Sequence, residues 1–110
     1  MNKITYAEMT QHDKRTRTIG GLYISFNCEE IVKQGDYVNI TYMGTNHPFK
    51  ITSVKVFGKS LEVRAKEAGY FARKLDRTLD FDLRQLIGLE VIPVVDEAEI
   101  AKIREESLWN

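Results

Sequence analysis

Apolar and polar residues alternate with a period of two through much of the chain, and that period predicts strands. In "IGGLYISF" (19–26), Leu22, Ile24 and Phe26 fall on one face. In "DYVNITYM" (36–43), Val38, Ile40 and Tyr42 do the same. Leu61, Val63 and Ala65 alternate with Glu62, Arg64 and Lys66. "KITYAEM" (3–9) alternates more weakly and reads as a first strand, and "LEVIPVV" (89–95) as a last one. Pro93 restricts that last strand to an edge or rim, because proline cannot donate to a ladder.

Two breaks in the alternation predict bends. Gly20-Gly21 opens the second strand and marks a bulge. In "FKITSVKVF" (49–57) the apolar phase slips from Phe49/Ile51 to Val54/Val56, which requires an extra residue in the ladder. "GTNHP" (44–48) reads as a turn by composition. "NCEEIVKQG" (27–35) reads as a short helical turn, capped by Asn27 with Glu30 at the capping-box position and ended by Gly35.

The stretch "SVKVFGKSLEV" (53–63) contains Gly58-Lys59-Ser60, the ending of a phosphate-binding loop. The full motif requires a glycine five residues before Gly58, and that residue is Ser53. The four residues between are Val54, Lys55, Val56 and Phe57, a β-branched and aromatic run suited to a strand. A hairpin with Gly58-Lys59 as a two-residue type II′ loop fits instead. It places Val56 opposite Leu61, Val54 opposite Val63 and Lys55 opposite Glu62, apolar and opposite-charge pairs from one register. No nucleotide partner is expected.

Helical periods appear late in the chain. Phe71, Leu75 and Leu79 are four apart and allow a helical segment. "DFDLRQLIG" (80–88) predicts one short turn capped by Asp80 or Asp82 and stopped at Gly88. "DEAEIAKIREESLW" (96–109) predicts an amphipathic helix with Asp96 as cap and Glu99 completing the box. Ile100, Ala101, Ile103 and Leu108 share an arc of about 160°. Trp109 lies about 80° beyond it at the helical period of 100° per residue.

These elements predict a mainly β fold: a small barrel of five to six antiparallel strands, with a short helical connection and a C-terminal amphipathic helix. Short, bent strands that close on themselves remove exposed sheet edges. A helical turn before the last strand resembles the SH3-like class, and an OB-like barrel also places a helix before a late strand. "QGDYVNITYMGTNHPFKITSV" resembles the Gly-Asp-led strand pair of KOW-type modules, with the likeness running over residues 34–66. The turn glycine of that motif has no counterpart in "NHPFKIT". The expected organisation is a β-domain over 1–95 and a helix over 96–110.

At 110 residues the chain is one domain in length and can bury a core without disulfides or metal. No apolar run reaches the roughly 20 residues of a membrane span, and the N-terminus has no secretory h-region. A lone Cys28 forms no internal disulfide. These features point to a cytoplasmic protein that does not engage membranes. The net charge is zero but polarised: residues 1–77 hold 13 Lys/Arg against 8 Asp/Glu, and residues 78–110 hold 3 against 8.

Candidate chemistry is sparse. His12, His47 and Cys28 share no metal-ligand spacing. "DRTLDFD" (Asp76, Asp80, Asp82) lacks the glycine and distal glutamate of a calcium loop. Nothing pairs a nucleophile with a base, so neither an enzyme nor a cofactor is expected. The expected function is a non-catalytic interaction module working through protein–protein contacts, as an adaptor, an inhibitor or a homo-oligomer subunit. Its candidate contact residues are Ile100, Ile103, Leu108 and Trp109, with Trp109 as an aromatic anchor. The alternative is a nucleic-acid-binding accessory protein. There Lys14, Arg15 and Arg17 of the basic loop 12–17 would grip phosphate, and Tyr23 and Tyr42 would stack bases.

Overall fold

The computed structural model describes residues 2–11, 19–69 and 82–108. The basic loop with His12, Lys14, Arg15 and Arg17, the segment of Phe71, Leu75, Asp76, Leu79 and Asp80, the side chain of Leu108, and Trp109 lie outside the described residues. The strands are β1 (Ile4–Gln11), β2 (Ile19–Cys28), β3 (Tyr37–Tyr42), β4 (Thr45–Phe57), β5 (Ser60–Glu67) and β6 (Ile92–Pro93). A four-residue helix α1 (Leu83–Leu86) precedes β6, and α2 (Glu97–Leu108) ends the fold. All six strands form one antiparallel sheet in the order β1-β2-β5-β4-β3-β6.

The sheet is mainly built as the alternation predicts. Leu22, Ile24 and Phe26 of β2 are buried, as are Val38 and Ile40 of β3, and they meet Phe49, Ile51, Val63 and Ala65 in one core. A single sheet buries one face against itself only if it curls, and three bulges help it curl, the first at Thr5 of β1 between Ile4↔Phe26 and Tyr6↔Ser25. Between Met9↔Leu22 and Gln11↔Ile19, β2 has two residues, Gly20 and Gly21, where β1 has only Thr10. Between Ile51↔Ala65 and Ser53↔Arg64, β4 carries the extra residue Thr52. Leu86 of α1 and Val91 close over the same core.

The sheet is not closed, so the SH3-like or OB-like barrel is not established by its ladders. Among the described residues β1 and β6 share no strand pairing. The two ends of the order approach through the isolated bridge Lys3↔Glu90. Backbone bonds flank it: Ile4 N–H donates to Leu89 O (2.9 Å), Gly88 N–H to Ile4 O (2.8 Å) and Val91 N–H to Asn2 O (2.8 Å). Pro93 lies in the edge strand, as its missing donor requires.

The Gly58-Lys59 hairpin has the expected register, Val56↔Leu61, Lys55↔Glu62 and Val54↔Val63. Gly58 has φ +57°, and Lys59 is not among the positive-φ residues, which is the type II′ pattern. Val54 to Phe57 are strand, so no phosphate-cradling loop forms before the glycine. Val56 is 74% exposed, however, because β4 has by then run on past its β3 partner, whose ladder ends at Tyr37↔Lys50. We expect Gly58→Val to lower stability by about 1–3 kcal/mol, because a β-branched side chain is strained at positive φ. A denaturation midpoint equal to the parent's would contradict the turn.

Two local expectations are corrected. Residues 27–35 are not a helical turn. Asn27 and Cys28 are consumed by β2, paired with Glu62 and Leu61, so no cap is available. The loop is fixed by other bonds: Lys33 N–H to Asp36 Oδ2 (3.0 Å) and Gly35 N–H to Ile51 O (2.8 Å). Gly35 does take a left-handed φ of +97°. The turn expected over 44–48 is confined to Met43-Gly44, with φ +51° and +78°. Asn46, His47 and Pro48 belong to β4 and pair with Thr41, Ile40 and Asn39. Pro48 is tolerated there because its backbone groups point past the last β4–β5 pair, where its carbonyl accepts from Ala68 N–H (2.9 Å).

The helical ends behave as their caps dictate. Asp82 Oδ1 accepts from Arg84 N–H (3.1 Å) at α1, and Gly88 follows with φ +89°. Asp96 Oδ1 accepts from Ala98 N–H (2.9 Å) at α2. Glu99 does not reach back to complete a capping box with that bond; its Oε1 accepts from Asn39 Nδ2 (2.9 Å) and ties the helix to β3.

Candidate functional site

The helix α2 docks on its own sheet. Ile103 is 5% exposed and packs with Tyr37, Ala68 and Val94, and Ile100 joins them half-buried. The Arg104 guanidinium lies over the Tyr37 ring, 5.9 Å from its centroid. Ser107 Oγ donates to Ile103 O and accepts from Gly69 N–H, both at 2.7 Å. Tyr37 and Asn39 point away from the Val38/Ile40 core, so α2 covers the outer face of β3. Of the predicted contact residues, Ile100 and Ile103 thus serve the chain's own packing, while Ala101 on the same arc is exposed.

Beside this docked helix runs an open groove of about 290 Å³. Its walls come from the 30–36 loop, the residues following β6 and the first turns of α2. Ile31 and Val95 stand at it with 91% and 83% of their surfaces exposed. Glu30, Asp36 and Arg104 add both signs of charge. Ile31 draws no notice in the sequence, because a short helical turn over 27–35 leaves the Ile31-Val32 pair with no assigned face.

The two tyrosines assigned to base stacking lie apart. Tyr42 is on the inner-face side of β3, half-buried, edge-on to the buried His47 ring (centroids 6.4 Å apart). Its phenol donates to Gln85 Oε1 (3.2 Å) and accepts from Asp82 N–H (3.4 Å), which anchors α1. Tyr23 is on the outer face of β2, with Lys66 Nζ 5.8 Å from its ring centroid. Tyr6, not singled out from the sequence, stands on the same outer face and donates to Glu8 Oε2 (3.1 Å). That hydrogen bond, with the charge of Glu8, pushes the pKa of the Tyr6 phenol up from its ordinary value.

Cys28 is buried, its Sγ accepting from Glu30 N–H (3.3 Å) and contacting Glu30 O (3.4 Å). Glu67 is a buried carboxylate that accepts from Leu22 N–H at 2.6 Å, where the β2 ladder passes β5. Among the described residues no three His, Cys, Asp or Glu side chains converge as a metal site would require. No helix among them is long and apolar enough to cross a membrane. No protein-family model, no curated protein and no solved structure matches this chain.

Proposed function

We propose that this chain is a non-catalytic module that works through protein–protein contacts, and that its best-supported contact is with a second copy of itself. The observation that carries this reading is the pair Ile31 and Val95, both projecting into solvent beside a groove. Exposed apolar side chains at a concave surface cost nothing to fold stability and gain free energy when covered.

Self-association is favoured over an unlike partner because the patch is self-complementary. A two-fold interface presents the same surface from both sides, so it needs knobs and a receptacle, and both charges, on one patch. Ile31 and Val95 are the knobs, and the groove beside α2 is the receptacle. Arg104 of one copy meets Glu30 or Asp36 of the other. A standard interface takes about 800 Å² from each partner, and this chain has 7731 Å² of surface, so one such contact would cover roughly a tenth. Leu108, the last residue of that helix, and Trp109, next in sequence, are candidate contributors. The curl of the sheet and the Lys3↔Glu90 bridge support the finer reading of an SH3-like or OB-like barrel carrying this surface. A cytoplasmic setting and the absence of catalysis belong to the same proposal.

Sedimentation equilibrium across a wide concentration range tests it. The parent protein should dimerise reversibly. Ile31→Asp with Val95→Asp should weaken dimerisation by about 2 kcal/mol or more, as removal of central anchors does. Folding stability should stay within about 0.5 kcal/mol, because both side chains are exposed. A parent that is monomeric at every concentration, or a double variant that dimerises as well as the parent, would overturn the proposal.

A further inference from the structure

The outer face of β1, β2 and β5 carries a second surface of different chemistry. The registers align its residues in rows. One row runs Glu8, Tyr23, Lys66, Lys50 across β1, β2, β5 and β4; the next runs Tyr6, Ser25, Arg64, Ser53. A third adds Asn27, Glu62 and Lys55. Tyr6 is 52% exposed, Lys50, Arg64 and Lys66 are exposed, and Tyr23 is half-buried. A shallow depression lies between Tyr6, Tyr23 and Arg64. None of this overlaps the groove beside α2.

We propose that this face binds single-stranded nucleic acid. Tyr6 and Tyr23 sit on adjacent strands in adjacent rows, which puts them on a diagonal of about 7–8 Å, within reach of neighbouring bases. Stacking on exposed rings is tolerant of sequence because every base has a π-face. Lys50, Arg64 and Lys66 surround the rings and form no ion pair among the described residues, where the one such pair is Arg84–Asp82. Four cations on the three rows (Lys50, Lys55, Arg64, Lys66) face two carboxylates (Glu8, Glu62), a positive excess complementary to phosphate. Glu8 is the unfavourable neighbour: it also lines the depression, where its carboxylate accepts from the Tyr6 phenol, so a strand of nucleic acid would run on the Arg64/Lys66 side. A protein surface is the less fitting occupant, because the three rows carry no apolar side chain besides the two tyrosines, and the exposed Phe57 lies beyond them at the hairpin tip.

The test is fluorescence anisotropy with a labelled oligothymidylate of about 16 nucleotides, one site long. Binding should weaken as salt rises from about 50 to 200 mM. Tyr6→Ala and Tyr23→Ala should each lower affinity about tenfold. Arg64→Gln with Lys66→Gln should flatten the log–log salt slope by about 1.4, two phosphate contacts at 0.7 each. These two positions are exposed, so that variant keeps its fold, and a thermal melt confirms it for the tyrosine variants. Ile31→Asp with Val95→Asp should leave oligonucleotide affinity unchanged, which separates this site from self-association. No binding at low salt would overturn the proposal. So would binding that ignores both tyrosines, or tighter binding to duplex than to single strand.

Discussion

Phe49→Ala is expected to cost about 3–5 kcal/mol, a large share of the roughly 5–15 kcal/mol that holds a domain of this size together. Phe49 is fully buried in the middle of β4, with Val38 opposite it on β3 and Glu67 opposite it on β5. It lies two residues before Ile51, beyond which the ladder slips, and it belongs to the same buried core as Ile51. Truncation removes the buried ring and leaves a cavity that the curled sheet, fixed by ladders on both sides, closes only in part. Urea denaturation followed by circular dichroism reads the loss. A change below about 1 kcal/mol would mean that the ring is not core.

Ile103→Ala is the second large effect, about 2–5 kcal/mol. Among the described residues, Ile103 is the apolar residue of α2 most deeply set against Tyr37, Ala68 and Val94. The half-buried Ile100, Arg104 over the Tyr37 ring and the polar contacts Asn39 to Glu99 and Gly69 to Ser107 add to this docking. An isolated helix of 12 residues is marginal in water, so it depends on this docking. Native-state hydrogen exchange should show the α2 amides opening far more readily in the variant, with the Phe26/Phe49 core protected as before. Equal protection of α2 in both proteins would show that the helix does not depend on this contact.

The local parts of the fold were legible in the sequence because they rest on short-range rules. The 58–59 hairpin follows from Gly58 and its flanking pairs. The bulges at Gly20-Gly21 and Thr52 follow from glycine and from the phase slip between Ile51 and Val54. The cap Asp96 follows from its place before the helical period, and Asp82 is one of two candidates with Asp80. Errors came where a distant partner overrode a local preference. Asn27 has the chemistry of a cap, but β5 claims it as a strand residue through Glu62. Asn46, His47 and Pro48 have the composition of a turn, yet β3 extends a ladder along them.

Most of both surfaces was invisible for the same reason. Tyr6, Tyr23, Arg64 and Lys66 come from three strands, and only the β1-β2-β5 order places them together. Ile31 and Val95 are far apart in sequence and come to one groove only because the 30–36 loop and the end of β6 both flank it. The amphipathic arc of α2 was legible, but an arc does not say which surface covers it. Ile100 and Ile103 turn out to face the chain's own Tyr37 and Val94.

The central claim, that copies of this chain meet through the groove beside α2, is tested most directly by nuclear Overhauser contacts between two differently labelled copies. An equal mixture of carbon-13-labelled and unlabelled protein, filtered for contacts between unlike copies, reports only what crosses an interface. The account predicts contacts from the methyl groups of Ile31 and Val95 to residues of the same groove on the other copy, Ile100 and Arg104 among them. No contact between copies at high concentration, or contacts arising from the Tyr6–Tyr23 face instead, would contradict it.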